Sequence, residues 1–427
     1  MTTVSPAEQE ERISRMRVDI VHWKHPVEKL AVAWMMINTA AFHDNTISLI
    51  LSEVLAFIIV AANTFLRNRR VSRQFVLYLL WIGSFVLFCF ISYIWSVAKA
   101  THWSMMLSML QIILVGSTTI LYIDNGNAQE REQRLSMILT LLLIAALVLC
   151  VRMLISVPAS AWGAERVARY VGLGNTGATY MLSYPALVAL YRALAYRKRW
   201  YYALYVILTA FSMMSGARKG ILITILGTVI IFVASAKSWQ SAAKRFVLSV
   251  LISGGFLYAI MNIPLLYNGI GVRVSTMMQQ LSTNSGDDSI STRLKLLEYA
   301  QQAFLQRPVL GAGLDAFRHI NPLDTYAHNN FMEILACLGI LGVLLYYSLP
   351  VATFFQLIRR TRAQMKDSAL YLAIIACILA CDFFTIWYYN ENIQIYTALL
   401  FSVSLGQALP ERKVYALAVP GEEQEHE

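Results

Sequence analysis

Long apolar runs recur along most of this sequence and limit what it can fold into. A helix needs roughly 20 apolar residues to cross the hydrocarbon core of a bilayer. The chain is 57% hydrophobic and only 14% charged, whereas soluble domains are about 45–50% apolar and about 25% charged. We therefore predict an all-α polytopic membrane protein of about twelve spans. The predicted spans are 27–43, 46–66, 74–97, 103–123, 135–157, 178–195, 200–216, 220–236, 246–263, 329–357, 369–389 and 392–409.

The positions of lysine and arginine predict how these spans are oriented. Cytoplasmic loops of membrane proteins carry an excess of both residues. If the N-terminus is cytoplasmic, 24 of the 35 basic residues fall on the cytoplasmic side, including the clusters RNRR, YRKRW and RRTR. Both termini are therefore predicted to be cytoplasmic.

This orientation divides the chain into five predicted regions. The external loop is long enough to hold structure, and its stretch SISTRLKLLEYAQQAFLQRP predicts an amphipathic helix that Ser289 or Ser291 caps and Pro308 ends. The regions are a cytoplasmic segment at 1–26, nine spans in 27–263, the external loop at 264–328, three spans in 329–409 and a cytoplasmic tail at 410–427.

The charge and the cysteines exclude several other classes of function. The formal net charge is +10, but most basic residues lie in short clusters between apolar runs, which favours membrane orientation over nucleic-acid binding. All five cysteines lie inside apolar runs and are predicted to be small core residues. No external pair of carboxylates has metal-binding spacing, so we predict neither a metal nor a cofactor.

A few basic residues break the cytoplasmic trend and gather on the predicted outer side. An arginine at a membrane interface commonly reaches lipid phosphate, and this remains the alternative to a functional role for each. Lys219 is interpreted in that way, as an interface anchor. The candidates are Arg218 in the tight turn SGARKG, Arg293 in the external helix, and Arg166 and Arg169 in the glycine-rich external segment 158–177.

A polar tripeptide, His328–Asn329–Asn330, stands directly before the tenth span. A helix N-terminus disfavours a charged imidazole, and a neutral imidazole can accept a proton. His328 is therefore a candidate general base, and His319 is its rival. The alternative is a polar helix start, with Asn329 or Asn330 as the N-cap.

Two carboxylates lie within or beside predicted spans. Such groups pair with a base or line a cavity. Asp382, near the outer end of the eleventh span, is expected to pair with an outer arginine. Glu53 in the second span is either functional in the same sense or structural.

Three stretches together resemble the O-antigen ligase and polymerase superfamily. They are SGARKG, then STRLKLLEYAQQAFLQRPVLGAGLDAF, then TYAHNNFMEILACLGILG, and the resemblance covers roughly residues 165–350. RVARYVGLGNTGATY is similar to an outer segment of that family. The resemblance implies a GT-C-like membrane fold and a glycosyltransferase of the bacterial cytoplasmic (inner) membrane. Its donor would be a glycan on polyprenyl pyrophosphate, used on the outer face without a metal or cofactor.

The resemblance also implies roles for individual residues. Arg218 and Arg293 would bind the pyrophosphate and His328 would activate the acceptor hydroxyl. Guanidinium groups suit that task because they stay charged and bind phosphate oxygens in pairs. Further candidate substrate-binding residues are Arg166, Arg169, Asn329, Asn330 and Asp382.

The acceptor separates the remaining hypotheses. A polymerase, which we favour, transfers the glycan to another lipid-linked repeat unit, whereas a ligase transfers it to a lipid A-core. Membrane lipids are the other expected partners, and nucleic acid is not one. A lipid-linked glycan transporter is a third hypothesis. It is less favoured, because transporters tend to carry inverted repeats and polar residues at the membrane midplane, whereas this sequence shows no repeat and its polar residues lie mainly in the long external loop.

Overall fold

The computed structural model describes residues 26–68, 71–162, 167–236, 238–272, 274–275 and 288–405. The predicted cytoplasmic N-terminal segment, except for its last residue, and the predicted tail lie outside these residues. The described chain forms thirteen helices of at least fourteen residues. They are α1 (Pro26–Ala41), α2 (Thr46–Asn68), α3 (Arg73–Ile91), α4 (Lys99–Asp124), α5 (Ala128–Ser156), α6 (Asn175–Tyr196), α7 (Trp200–Met214), α8 (Lys219–Ala234), α9 (Trp239–Asn262), α10 (Asp288–Gln306), α11 (Asn330–Arg362), α12 (Ser368–Cys381) and α13 (Glu391–Leu405).

The prediction of a helical membrane protein is confirmed. Among the described helices, six are long and apolar enough to cross a bilayer, namely α2, α3, α4, α5, α9 and α11. Helices α7, α8 and α12 are apolar but shorter. Each of the twelve predicted spans overlaps one helix, while the count of twelve membrane crossings stays a prediction.

Side-chain caps explain where several helices begin. Ser72 Oγ accepts a hydrogen bond from the Phe75 N–H at the start of α3. Asn127 caps α5 and completes a reciprocal capping box with Glu130. These side chains satisfy N–H groups that a helix start leaves without a partner.

One end of the bundle is held together by ion pairs, and we call it the paired end. Arg134 lies against Glu28 with an Nη1–Oε1 distance of 3.0 Å, and Arg131 lies 3.0 Å from Asp124. Ser402 Oγ donates to the same Asp124 carboxylate at 2.7 Å. Segments predicted to share the cytoplasmic side therefore meet at one end of the bundle.

Helix α11 contains a break that the sequence pattern does not predict. Gly339 has φ 65° and ψ −167°, which is not helical. A Cβ at this position would lie 2.3 Å from the Val309 carbonyl oxygen, so only glycine fits here. The turn after α10 therefore runs directly against the broken backbone of α11.

The broken backbone is hydrogen-bonded to that turn. The Ala312 and Gly313 N–H groups donate to the carbonyls of Ala336 and Cys337 at 3.0 and 2.7 Å. On the other side of the break, the Ile340 N–H donates to the Pro308 carbonyl at 2.9 Å. These bonds replace the helical ones that the break removes, and they fix the end of α10 against α11.

Helix α10 corresponds to the predicted amphipathic helix with corrected bounds, while its external location stays a prediction. It is described from Asp288, so Ser289 and Ser291 lie inside it and the predicted N-cap is wrong. It ends at Gln306, two residues before Pro308.

All five cysteines are buried free thiols, as predicted for core residues.

Candidate active site

Small hydroxyl residues and glycine fix the turn between α7 and α8. Gly216 has φ 78°, a conformation that glycine adopts without strain. Ser215 and Thr179 of α6 share a hydrogen bond of 2.5 Å. A Cβ on Gly220 would lie 2.8 Å from Ser212 Oγ, so α8 starts in close contact with its neighbours. The SGARKG turn is therefore held rigidly against α6.

Two basic side chains stand at this rigid helix start. Arg218 is the N-cap residue of α8, and both it and Lys219 are half-buried. Lys219 Nζ donates to Thr176 Oγ1 of α6 at 3.5 Å. Among the residues that the structure describes, neither side chain has an ion-pair partner. Both cations therefore lie at the bundle end without a described counter-charge.

His328 lies directly before Asn329, the N-cap residue of α11. Its backbone is left-handed, with φ 54°. Its half-buried ring packs against Tyr326, with 4.3 Å between ring centroids. Asn329 is the N-cap of α11 and accepts from the Met332 N–H at 2.9 Å, which confirms one of the two predicted caps. The imidazole is therefore packed against Tyr326, and the Asn329 cap fixes the backbone that follows it.

Electrostatics connect the histidine to the basic residues of two other helices. Burial, followed by the positive charges of Arg293 and Lys219, lowers the pKa of His328 to about 4. Arg293 lies in the second turn of the described α10, and its side chain is exposed. Arg293 and Lys219 are thus close enough to His328 to act on its charge, and we call this part of the bundle, together with Arg218, the site end. A neutral imidazole was also predicted from the sequence, but from the helix start, whereas here burial comes first and the two cations follow.

Asn330 fixes the start of α11 from inside the bundle. It is fully buried, and its side-chain oxygen accepts from the Trp387 and Tyr388 N–H groups at 3.1 and 3.2 Å. Its amide nitrogen donates to the Tyr347 hydroxyl at 3.0 Å. Both polar side-chain atoms of Asn330 are therefore engaged within the protein, and its role in substrate binding stays a prediction.

The expected pairing of Asp382 with an outer arginine is wrong. Its carboxylate accepts from the Tyr347 hydroxyl at 2.8 Å and from the Trp387 indole N–H. Two neutral donors already satisfy the buried carboxylate, so no arginine is needed. Glu53 is likewise bound to an amide, since Gln111 donates to its carboxylate at 3.2 Å.

The rival histidine belongs to another cluster. His319 Nε2 lies 3.2 Å from Thr101 Oγ1 and 3.8 Å from the Asp315 carboxylate. Thr101 in turn donates to Asp315 at 2.7 Å. His319 thus helps to join the segment between α10 and α11 to the start of α4.

Arg166 and Arg169, the two arginines of the glycine-rich segment, are not assigned to the site end. The guanidinium of Arg169 stacks over the Tyr170 ring, 5.2 Å from its centroid. Arg166 lies outside the described residues. Their predicted roles in substrate binding stay predictions.

Two residues beside the histidine escaped the sequence interpretation. Lys219 was assigned to the membrane interface, although it adjoins Arg218 and acts on the imidazole. Glu333 is buried one turn into α11, and its carboxylate accepts from the Ala327 N–H at 2.7 Å, which fixes the loop before His328. A carboxylate in an apolar helix was the available signal for Glu333.

Comparison with known families supports the arrangement. Residues 203–347 match a family model described as O-antigen ligase. That segment is similar to the O-antigen ligase family. The match covers about a third of the chain and contains Arg218, Arg293 and His328. A comparison with curated proteins gave no match.

The O-antigen ligase domain and the apolar helices together define the class of the protein. Together they support a multi-pass protein of the bacterial inner membrane with an O-antigen ligase or polymerase type of function. The matched family implies lipid-linked glycan substrates and a setting among membrane lipids. The match confirms the superfamily that the three sequence stretches resemble.

Proposed function

We propose that this O-antigen ligase family protein is a polysaccharide polymerase. It transfers a glycan from polyprenyl pyrophosphate to a hydroxyl of another lipid-linked repeat unit. One observation carries the proposal: the basic residues Arg293 and Lys219 lie near enough to His328 to contribute to the lowering of its pKa. Such a group combines a proton acceptor with cations that suit a pyrophosphate leaving group.

The roles follow from the chemistry of the transfer. The acceptor oxygen forms a bond to the anomeric carbon, and the bond from that carbon to the pyrophosphate oxygen breaks. The acceptor proton passes to the neutral imidazole of His328, and the electron pair leaves with the pyrophosphate. Arg218 and Arg293 stabilise the charge on that leaving group.

A membrane orientation and a reaction without metal complete the proposal. We place the site end on the outer face, both termini in the cytoplasm and twelve helices across a GT-C-like bundle. Guanidinium groups take the place that a divalent cation would otherwise have beside the pyrophosphate. A chelator should therefore leave turnover unchanged. Inhibition by the chelator that magnesium reverses would contradict this part of the proposal.

The ligase is the second candidate, because the matching family model is described as O-antigen ligase. Incubation of the purified protein with lipid-linked repeat units alone distinguishes the two. A ladder of products of increasing length is expected for a polymerase. Transfer that occurs only when lipid A-core is added would replace the polymerase with the ligase. No transfer under either condition would contradict both.

A further inference from the structure

Lys219 occupies a position that the family-based roles leave unexplained. It is the first residue of α8 and follows Arg218 directly, in a turn held by the Ser215–Thr179 hydrogen bond. Its ammonium reaches back to Thr176 of α6. An interface anchor would extend outward to lipid, whereas this side chain is held between helices.

The groups that face Lys219 come from each neighbouring element. Thr176 faces it from α6, Cys381 from the end of α12, and Arg293 from α10. Arg218 adjoins it in the same turn, and Lys219 in turn acts on His328. Asp382 follows Cys381, but its carboxylate is engaged by Tyr347 and Trp387. Lys219 is therefore surrounded by neutral and basic groups.

This setting disfavours the charged ammonium when no anion is present. Lys219 lies just before the predicted span 220–236. Burial, opposed by the Cys381 thiol and reinforced by the positive charge of Arg293, lowers the pKa of Lys219 to about 7. A pyrophosphate among these groups would reverse the balance, because an opposite charge within a few ångströms favours the charged form.

We propose that Lys219 is a further binding residue for the donor pyrophosphate and that it gains a proton when the donor binds. The inference rests on the proposed function, since it assigns a third cation to the same donor site. The proton comes from water, and the ammonium then donates to a pyrophosphate oxygen. A neutral lysine in the empty site avoids crowding three positive charges, and a charged one strengthens the occupied site.

The binding of a donor also changes the strength of the base. In the empty site, burial and the positive charge of Arg293 hold the pKa of His328 low, and Lys219 adds to them at a pH where its ammonium is charged; an imidazole with such a low pKa is a weak proton acceptor. A bound pyrophosphate offsets both charges, so the imidazole becomes more basic when the donor is in place. The acceptor hydroxyl is therefore activated only in the donor complex.

Proton uptake during donor binding tests the inference directly. Polyprenyl pyrophosphate is titrated calorimetrically into the full-length protein at pH 8, in buffers that differ in ionisation enthalpy. The wild type should take up close to one proton per donor, because a lysine with a pKa of about 7 is about 90% neutral at pH 8. His328 should contribute little, since an imidazole remains mostly neutral at this pH.

Three variants separate a binding lysine from a structural one. Lys219→Arg keeps the charge but cannot titrate, so it should bind the donor without uptake. Lys219→Met should lose the uptake and bind about 10- to 100-fold more weakly, as expected for the loss of a charge-assisted hydrogen bond. Lys99→Met removes another lysine of the predicted outer side and should match the wild type.

The outcomes are distinguishable. Donor binding by the wild type without proton uptake, or unchanged uptake in Lys219→Arg, would overturn the inference and leave the proposed function intact. Absence of binding to the wild type would instead refute the proposed function. Unchanged donor affinity in Lys219→Met would also exclude Lys219 from the donor site.

Discussion

At the paired end the arginines lie against carboxylates, whereas at the site end Arg218 and Lys219 lie against none of the described ones. Arg134 forms a buried pair with Glu28, and its Nη1 also donates to the Tyr122 carbonyl at 2.6 Å. Among the described residues, the hydrogen bond of Lys219 is the one of 3.5 Å to Thr176. The same types of side chain therefore have different surroundings at the two ends.

The difference indicates which charges stabilise the fold and which are available to a ligand. A buried charge without a partner is costly, so a protein retains one where a ligand supplies the missing charge or where solvent still reaches it. At the paired end, Glu28 already supplies the negative charge that Arg134 requires. At the site end the half-buried cations suit an anionic substrate.

The largest effect on activity is expected at the histidine. His328→Ala should lower the transfer rate by about 10²–10⁴-fold, the range for loss of a general base. Binding of polyprenyl pyrophosphate should persist, because the basic residues remain. Rates from product ladders and affinities from calorimetry measure the two quantities.

His319→Ala is the matched control, because His319 belongs to the Thr101–Asp315 cluster. Its effect on the rate should be mild. Loss of activity in His319→Ala together with retention in His328→Ala would move the base to His319 and reduce the role of His328 to the start of the helix.

The second effect concerns stability at the paired end. Arg134→Ala leaves Glu28 buried without its partner, which should cost about 3–5 kcal/mol of folding free energy. Arg218→Ala should change stability by less than about 1 kcal/mol, since Arg218 has no described ion pair to lose. Thermal unfolding in detergent compares the two. Equal losses of stability would remove the distinction between the ends.

The sequence predicted the helices better than their contacts. Apolar periodicity located every long helix, because burial in a membrane requires long apolar runs. The hydrogen bonds of Asp382 were not predicted, for two reasons. Tyr347 is distant from it in the sequence, and Trp387 is one of many aromatic residues in the chain. The break at Gly339 was missed because it depends on a tertiary contact with Val309.

The site was predicted to the extent that motifs are local. The tight SGARKG turn and the His328–Asn329–Asn330 start of α11 could be identified in the sequence, and the family match at 203–347 agrees with them. The surroundings of Lys219 could not be predicted, because they depend on α6, α10 and α12, none of which adjoins it in the chain. A hydropathy pattern contains no information on that packing.

A smaller effect on the transfer rate should separate the contribution of the paired N–H donors of arginine from that of its charge. Arg218→Lys keeps the positive charge but loses the planar pair of donors that fits two phosphate oxygens. Transfer should fall about 10- to 100-fold with unchanged folding. The same result is expected for Arg293→Lys. Near wild-type turnover in either variant would argue against a phosphate-binding role for that arginine, and Arg169→Lys provides a comparison at an arginine stacked on Tyr170.

The smallest effect is a shift of the pH profile, and it tests whether the site-end cations act on the base. The reacting imidazole must be deprotonated, so the rate should rise with pH through the pKa of His328. At limiting donor that rise should lie near pH 4. At saturating donor it should move upward, toward the ordinary imidazole value of about 6.5, because the pyrophosphate offsets the charges of Arg293 and Lys219. In Lys219→Met, one of these charges is absent, so the rise at limiting donor should begin at a higher pH than in the wild type. A rise at the same pH with limiting and saturating donor would mean that the bound anion does not reach the histidine, and the site end would then be no more connected to catalysis than the paired end.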